Sequence, residues 1–219
     1  MDWIVSGALT NHPAIRMVAR RLPRWVKDGI AQYLAGADGR RQWLRQTMNA
    51  NIGDTIAALP PDYCDALEVS GNLHELWHWQ SYQQLWYPEF DLCCPQEPLP
   101  GPFDVVICEQ VLEHVADPIS AVTNLCRLIR PRGLLIVSTP FLVKLHDHPG
   151  DYWRFAPAGL ALLLQYGGFE NIRIHSWGNP RAILANLGPR WTPYRPWHSL
   201  RNNPITPAVV WAFANRAAN

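Results

Sequence analysis

Four short runs concentrate side chains able to move protons, hold ions or grip a polar ligand. They are Glu109-Gln110, Glu113-His114, His146-Asp147-His148 and Asp151-Tyr152-Trp153-Arg154. Histidine ionises near neutral pH, so His146 or His148 suits removal of a proton from a hydroxyl nucleophile. The alternative role for both is to tie a loop down by hydrogen bonds. His-x-His, joined by a carboxylate from Glu109 or Glu113, is also raw material for a divalent metal site. Magnesium would draw on oxygen donors, so Asp147 and Asp151 stand beside His146 as metal candidates. Tyr152 and Trp153 offer aromatic faces to the C–H surface of a ring such as a sugar, and Arg154 offers a fork for a hydroxyl or carboxylate. Their alternative is structural: Trp153 anchors the loop and Arg154 pairs with Asp151.

The elements that must position these residues are legible around them. Val105 to Cys108 is a short, β-branched apolar run, the pattern of a strand buried on both faces of a parallel sheet. Glu109 and Gln110 follow at once, at the carboxyl end of that strand, where open α/β sheets bind ligands. Asp117-Pro118 is a helix cap followed by proline at the first helical position. Ile119, Val122, Leu125 and Leu128 then recur at helical spacing, and Arg130-Pro131-Arg132-Gly133 stops the helix. Leu134 to Ser138 is the next buried strand. Leu67 and Val69 mark an earlier strand turning at Ser70-Gly71, and Tyr82 to Trp86 a short one. Between them, Leu73 to Trp79 has room for only a short helix. Pro157 opens a helix with Leu160, Leu163 and Leu164 inward, and Phe169 to Ser176 reads as a strand near the sheet edge.

The order of strand, Glu109-Gln110-Val111-Leu112-Glu113-His114-Val115, Asp117-Pro118, helix, Arg130-Pro131-Arg132-Gly133 and strand resembles the second half of class I S-adenosylmethionine (SAM) dependent methyltransferases. The run from Ser138 through His146 to Phe155 is similar to a bacterial subgroup of sugar O-methyltransferases, of the type that builds methylmannose polysaccharides. The resemblance covers roughly residues 62 to 176. It implies a Rossmann-like α/β fold, a mostly parallel sheet flanked by helices, with SAM as cofactor and magnesium as a candidate second cofactor. It also implies site residues. Glu68, Ser70, Gly71 and Asn72 correspond to the cofactor turn, although Ser70 and Asn72 stand where glycine is usual. Asp91 is the candidate for a cofactor contact, with Leu92 against the adenine; the alternative is that Asp91 caps a turn. Glu109, Gln110 and Val111 would border the methionine moiety. Glu113-His114 would fix the following helix to the sheet. His146, with His148, would supply the base, and Tyr152, Trp153 and Arg154 the acceptor wall. The implied acceptor is a hydroxyl of a mannoside-like sugar or oligosaccharide. Small-molecule methylation in quinone or secondary metabolism, and a methyltransferase-like binding protein without catalysis, are the alternatives.

The whole chain narrows the partners. At 219 residues it is one domain, divided here into N-terminal helices (1–60), a cofactor-binding core (62–176) and a C-terminal extension (177–219). The net charge is +1, so there is no global pull toward nucleic acid or membrane. Basic flanks border an acidic middle, which fits flanks folding over the body. No Asn/Asp-Pro-Pro-Tyr/Phe run and no GxGxxG follows a candidate strand, which disfavours nucleic-acid methylation and a nicotinamide cofactor. Five cysteines without CxxC, and a start lacking a basic region and a long apolar core, suit a cytoplasmic protein. A homodimer is a candidate assembly. Eleven tryptophans and twenty prolines lie mostly outside the central strands, so the extension from 177 is expected to be irregular, closing with a short helix over Pro207–Asn215.

Overall fold

The computed structural model describes residues 41–60, 64–146 and 150–218. Asp147, His148 and the predicted helices before residue 41 lie outside the described residues.

The described residues open with a short 3-10 turn at Trp43–Arg45, then α1 (Gln46–Ala57), β1 (Asp65–Val69) and β2 (Ser81–Leu85). After β3 (Phe103–Glu109) come a 3-10 turn at Leu112–His114, α2 (Pro118–Leu128) and β4 (Ile129–Pro140). The last elements are α3 (Pro157–Tyr166), β5 (Phe169–Trp177), α4 (Pro180–Asn186) and β6 (Val209–Arg216). One six-stranded sheet has the order β2-β1-β3-β4-β6-β5. β1 pairs in parallel with β2 and β3, and β3 with β4. β6 is antiparallel to both its neighbours, so among the described residues five strands run one way and β6 alone runs back.

Strand period splits the core into two layers. In β3, Val106 and Cys108 face the layer built with α2 and α3, while Val105 and Ile107 face the layer built with α1. β6 alternates likewise, with Val210, Ala212 and Ala214 on one side and Val209, Trp211 and Phe213 on the other. Helix α1 contributes Met48, Ile52 and Ile56, spaced by four residues so that they share one face, and all are fully buried. Helix α2 starts as its sequence requires: the Asp117 side chain accepts from the N–H groups of Ile119 and Ser120. Helix α3 starts at Pro157 behind Ala156, which makes no side-chain cap.

Two expectations are corrected. The segment 72–80 between β1 and β2 contains turns and no helix, so this parallel pair is joined by a link near the minimum such a crossover needs. The segment Pro207–Asn215 forms a strand in place of the expected helix, and β6 lies between β4 and β5. The physical reason is the two-sided burial of Val209 to Ala214, which a strand between two partners satisfies and a surface helix does not. The sheet therefore draws one of its inner strands from the segment set apart as an extension. The rest of that segment is pinned by indole N–H groups: Trp43 donates to the Ser199 carbonyl (3.1 Å) and Trp177 to that of Leu200 (2.8 Å).

Phe213 is 2 % exposed and packs against the α1 layer. Phe213→Ala is expected to cost about 3–5 kcal/mol, read as a lower urea midpoint with an unchanged slope.

Candidate active site

The site is assembled where β1, β3 and β4 end side by side. At the end of β1, Glu68 is 1 % exposed. Its carboxylate accepts from the N–H groups of Leu73 and His74 (3.0 Å each) and from the Tyr82 hydroxyl (2.6 Å). Burial, and then this carboxylate, push the Tyr82 phenol well above its ordinary pKa. The turn wraps this buried acid closely. A Cβ at Gly71 would stand 2.4 Å from Glu68 Oε1, so no other residue fits without displacing the carboxylate. Ser70 takes positive φ (53°), a conformation glycine adopts more readily. Asn72 is exposed. Glu68 thus shapes the turn, and its oxygens are engaged within the protein.

Glu109, at the end of β3, is held from two sides. Arg45 Nη2 and His74 Nε2 each lie 2.5 Å from one of its oxygens. Burial would raise this carboxyl, but Arg45 and His74 outweigh it and leave it below its ordinary pKa. Arg45 Nε and His74 Nδ1 are buried without a partner. Gln110 takes positive φ (55°), and its backbone N–H and side-chain amide donate to the Ser138 carbonyl (2.8 Å) and hydroxyl (3.1 Å). These two bonds lock the end of β3 to the end of β4. Val111 packs at the border of the core. The structure therefore brings the Gly71 turn and Glu109 to one edge through His74.

Asp91 accepts from the Cys93 N–H (2.8 Å), the turn-capping alternative. Leu92 is buried in the α2 layer, and its carbonyl accepts from Asn124 (2.8 Å).

A second group lies beyond Gln110. Glu113 is fully buried, and both carboxylate oxygens lack a hydrogen-bond partner. His114 Nε2 and His146 Nε2 stand 3.6 Å and 3.7 Å from Glu113 Oε1, beyond hydrogen-bond range. The loop 150–155 is clamped over this group. The Glu113 carbonyl accepts from Tyr152 N–H (2.7 Å), and the Trp153 indole donates to the Val115 carbonyl (2.9 Å). The Asp151 side chain is buried and bound by both terminal guanidinium nitrogens of Arg154 and by the His146 N–H (2.9 Å). Arg154 holds the Asp151 carboxyl down at about 2. Burial would lower the His146 pKa, but Glu113 and Asp151 outweigh it, and the imidazole lies above its ordinary value.

The predicted acceptor residues divide accordingly. Arg154 is taken up by Asp151 and the Lys144 carbonyl, so its fork is spent on the loop. Trp153 anchors that loop and stacks on Phe155. Tyr152 is 60 % exposed and stays available. Asp151 is not free for a metal, because its oxygens already serve Arg154 and His146. Glu113 and His114, expected to fix a helix, instead face His146. Sequence reasoning missed Arg45 and His74. The one available signal was the shortness of the Gly71–Ser81 link, which forces its polar side chains close to the turn.

A separate hollow of about 750 Å³ lies at the opposite, amino ends of β3 and β4, lined by Asp104, Arg130, Gly133 and Asn215. Arg130 there is paired with Asp65 and Asp104. Ligands of open α/β sheets bind at the carboxyl ends, so the rim group is the stronger candidate site despite this hollow.

A methyltransferase domain model matches residues 39–177. This chain belongs to that methyltransferase domain family. The fold agrees: a SAM-dependent methyltransferase from Thermotoga maritima superposes with TM-score 0.50 at 15 % identity, covering 88 % of this chain and 97 % of that one. The Haemonchus contortus phosphoethanolamine N-methyltransferase 2 gives TM-score 0.51 at 9 % identity, over 78 % of this chain and 53 % of that one. Among curated proteins, a ubiquinone biosynthesis O-methyltransferase of Alkalilimnicola ehrlichii is 34 % identical over 152 residues, 63 % of this chain and 54 % of the relative. Its namesake from Dechloromonas aromatica is 41 % identical over 69 residues, 32 % of this chain and 27 % of the relative. The chain thus spans from about a quarter to about half of the length of these relatives, which are named for ubiquinone biosynthesis and not for sugar methylation. Among the described residues, no helix is long and apolar enough to cross a membrane.

Removing the Arg45 cation leaves Glu109 buried and incompletely compensated, which costs about 3–5 kcal/mol. Glu109 has a depressed pKa, so its stabilisation is full above the unfolded value and is lost as pH falls through the folded one. Arg45→Ala is therefore expected to lower stability at neutral pH and to move the acid-unfolding midpoint to higher pH, read by circular dichroism.

Proposed function

We propose that this chain is a SAM-dependent O-methyltransferase acting on a small-molecule hydroxyl. One observation carries the cofactor: the buried Arg45 Nε is a donor without a partner, and it stands at the same strand edge as the tight turn at Gly71. Unpaired buried donors call for an acceptor, and the amino-acid carboxylate of SAM is one. Gly71 and Ser70 would let the backbone approach the ligand, and Gln110 and Val111 would border its methionine end. Bound there, SAM supplies an electrophilic methyl group on a sulfonium. Magnesium fits poorly, since it takes oxygen ligands and Asp151 is already engaged.

A neutral hydroxyl is a weak nucleophile and must lose its proton during the transfer. His146 is the residue proposed to serve that loss. Its Nδ1 faces Asp151 Oδ2 at 3.2 Å and the Lys144 carbonyl at 3.4 Å, so Nδ1 carries the hydrogen and Nε2 is left as the proton acceptor. Clamping of the 150–155 loop to Glu113 and Val115 would hold that atom in place, and positioning is most of what the transfer asks of a protein.

The ubiquinone-pathway names of the relatives favour a phenolic, quinone-precursor acceptor. Exposed Tyr152 and the subgroup resemblance of residues 138–155 support a mannoside-like sugar as the second reading. Calorimetry and radiolabelled SAM test the proposal. The chain is expected to bind S-adenosylhomocysteine and to label one acceptor from a panel of catechols and methylated mannosides. Gly71→Val is expected to abolish cofactor binding. His146→Ala is expected to keep it and to lower turnover at least ~100-fold. No binding at millimolar cofactor would leave only a non-catalytic, methyltransferase-like role.

A further inference from the structure

The geometry points to a binding site for a divalent transition-metal ion formed by Glu113, His114 and His146. The proposal stands independently of methyl transfer, since it concerns only what these three side chains hold.

Three features carry it. First, the Glu113 carboxylate is fully buried with no hydrogen-bond partner on either oxygen. An ionised carboxylate left so is among the costliest arrangements a protein can keep, unless something cationic meets it. Second, both imidazoles present the same atom to it. His114 Nδ1 is bonded to the Gly150 carbonyl, and His146 Nδ1 faces Asp151 and the Lys144 carbonyl. Oxygen acceptors on Nδ1 put the hydrogen there and leave each Nε2 lone pair free, which is the outer arrangement that orients metal-ligating histidines. Third, the distances suit a shared ion. The three ligand atoms lie within 4.8 Å of one another, and both Glu113–His separations, 3.6 Å and 3.7 Å, approach the ~3.4 Å between ligands of a tetrahedral ion held at ~2.1 Å.

Charge agrees with this assignment. Asp151 is already paired with Arg154, so Glu113 is the acid of this group left to meet an ion. Two nitrogen donors and one carboxylate select ions of the zinc, cobalt or manganese kind over magnesium. Three protein ligands also leave a coordination position open. Ion binding would occupy the Nε2 lone pair that the proposed reaction uses as its base, so the two uses of His146 exclude each other. The local supports also acquire a purpose: Gly150, Asp151, Arg154 and Lys144 all serve to aim two imidazoles at one buried acid.

The test uses the full chain, stripped with chelator and free of cofactor, titrated with Co2+ and Zn2+ by calorimetry and with Co2+ by visible absorption. The expected result is about one bound ion with a ligand-field spectrum of nitrogen ligation, and affinity lower by at least ~100-fold in each of Glu113→Gln, His114→Ala and His146→Ala. Mg2+ is expected to show no saturable binding. Imidazole 15N spectra of the unmutated chain give a second readout that survives a misfolded variant: Nε2 of His114 and His146 are expected to shift with Zn2+ while Nδ1 stays protonated. Absence of saturable Co2+ and Zn2+ binding, binding unchanged in all three variants, or Nε2 signals that ignore Zn2+ would each overturn the site. S-adenosylhomocysteine binding, measured separately on the metal-free chain, reports the fate of the methyl-transfer reading on its own.

Discussion

The buried Glu109 carboxylate, gripped by Arg45 from one side and His74 from the other, is the interaction on which the rim depends. Arg45 precedes α1, His74 lies on the link after β1, and Glu109 ends β3, so one acid joins three segments that are distant in sequence. The parallel register of β1 with β3 brings the two strand ends level, but register alone would leave the link free to splay. A buried acid flanked by two donors cannot be exposed cheaply, nor can either partner leave alone. Glu68 repeats the device one strand away, holding the turn around Gly71 by three donors. The outcome is an edge fixed by its own ion pairs, with one buried donor, Arg45 Nε, left without a partner.

Beside it stands a second edge with different chemistry. Gln110 turns the chain away from β3 and ties it to Ser138, so the next residues, Glu113 and His114, fall under the loop that carries His146. Backbone bonds from Tyr152 and Trp153 to Glu113 close that loop. The first edge offers donors and small residues and is suited to a charged, extended cofactor. The second offers a buried acid and two imidazoles and is suited to an oxygen nucleophile or a metal ion. Methyl transfer needs both at neighbouring positions, and β3 and β4 end next to each other.

The central unit was readable because its signals are local. Val105 to Cys108, the Asp117-Pro118 cap, the spacing from Ile119 to Leu128 and the Arg130–Gly133 stop each decide a structure within a few residues. β6 was not readable for the opposite reason. Val209 to Ala214 is a short apolar run, which periodicity alone cannot assign to helix or strand, and its partners come from segments far earlier in the chain. Arg45 and His74 were missed because their meaning lies in contacts across 64 and 35 residues. Glu113 is read from the sequence as a packing residue or a metal carboxylate and His114 as a packing residue, since nothing in the sequence reveals that the carboxylate is buried without a partner. Arg154 is a case the sequence leaves open: of the acceptor fork and the Asp151 pair that it offers, the pair is the contact that forms.

The most direct test of the account is where the cofactor sits. Amide shifts of the 15N-labelled chain on addition of S-adenosylhomocysteine would locate it. The account expects the changes to cluster at Ser70 to His74 and at Glu109 to Val111, at the carboxyl edge of the sheet. Changes confined to the hollow near Asp104, Arg130 and Asn215 would contradict it, and so would none at all.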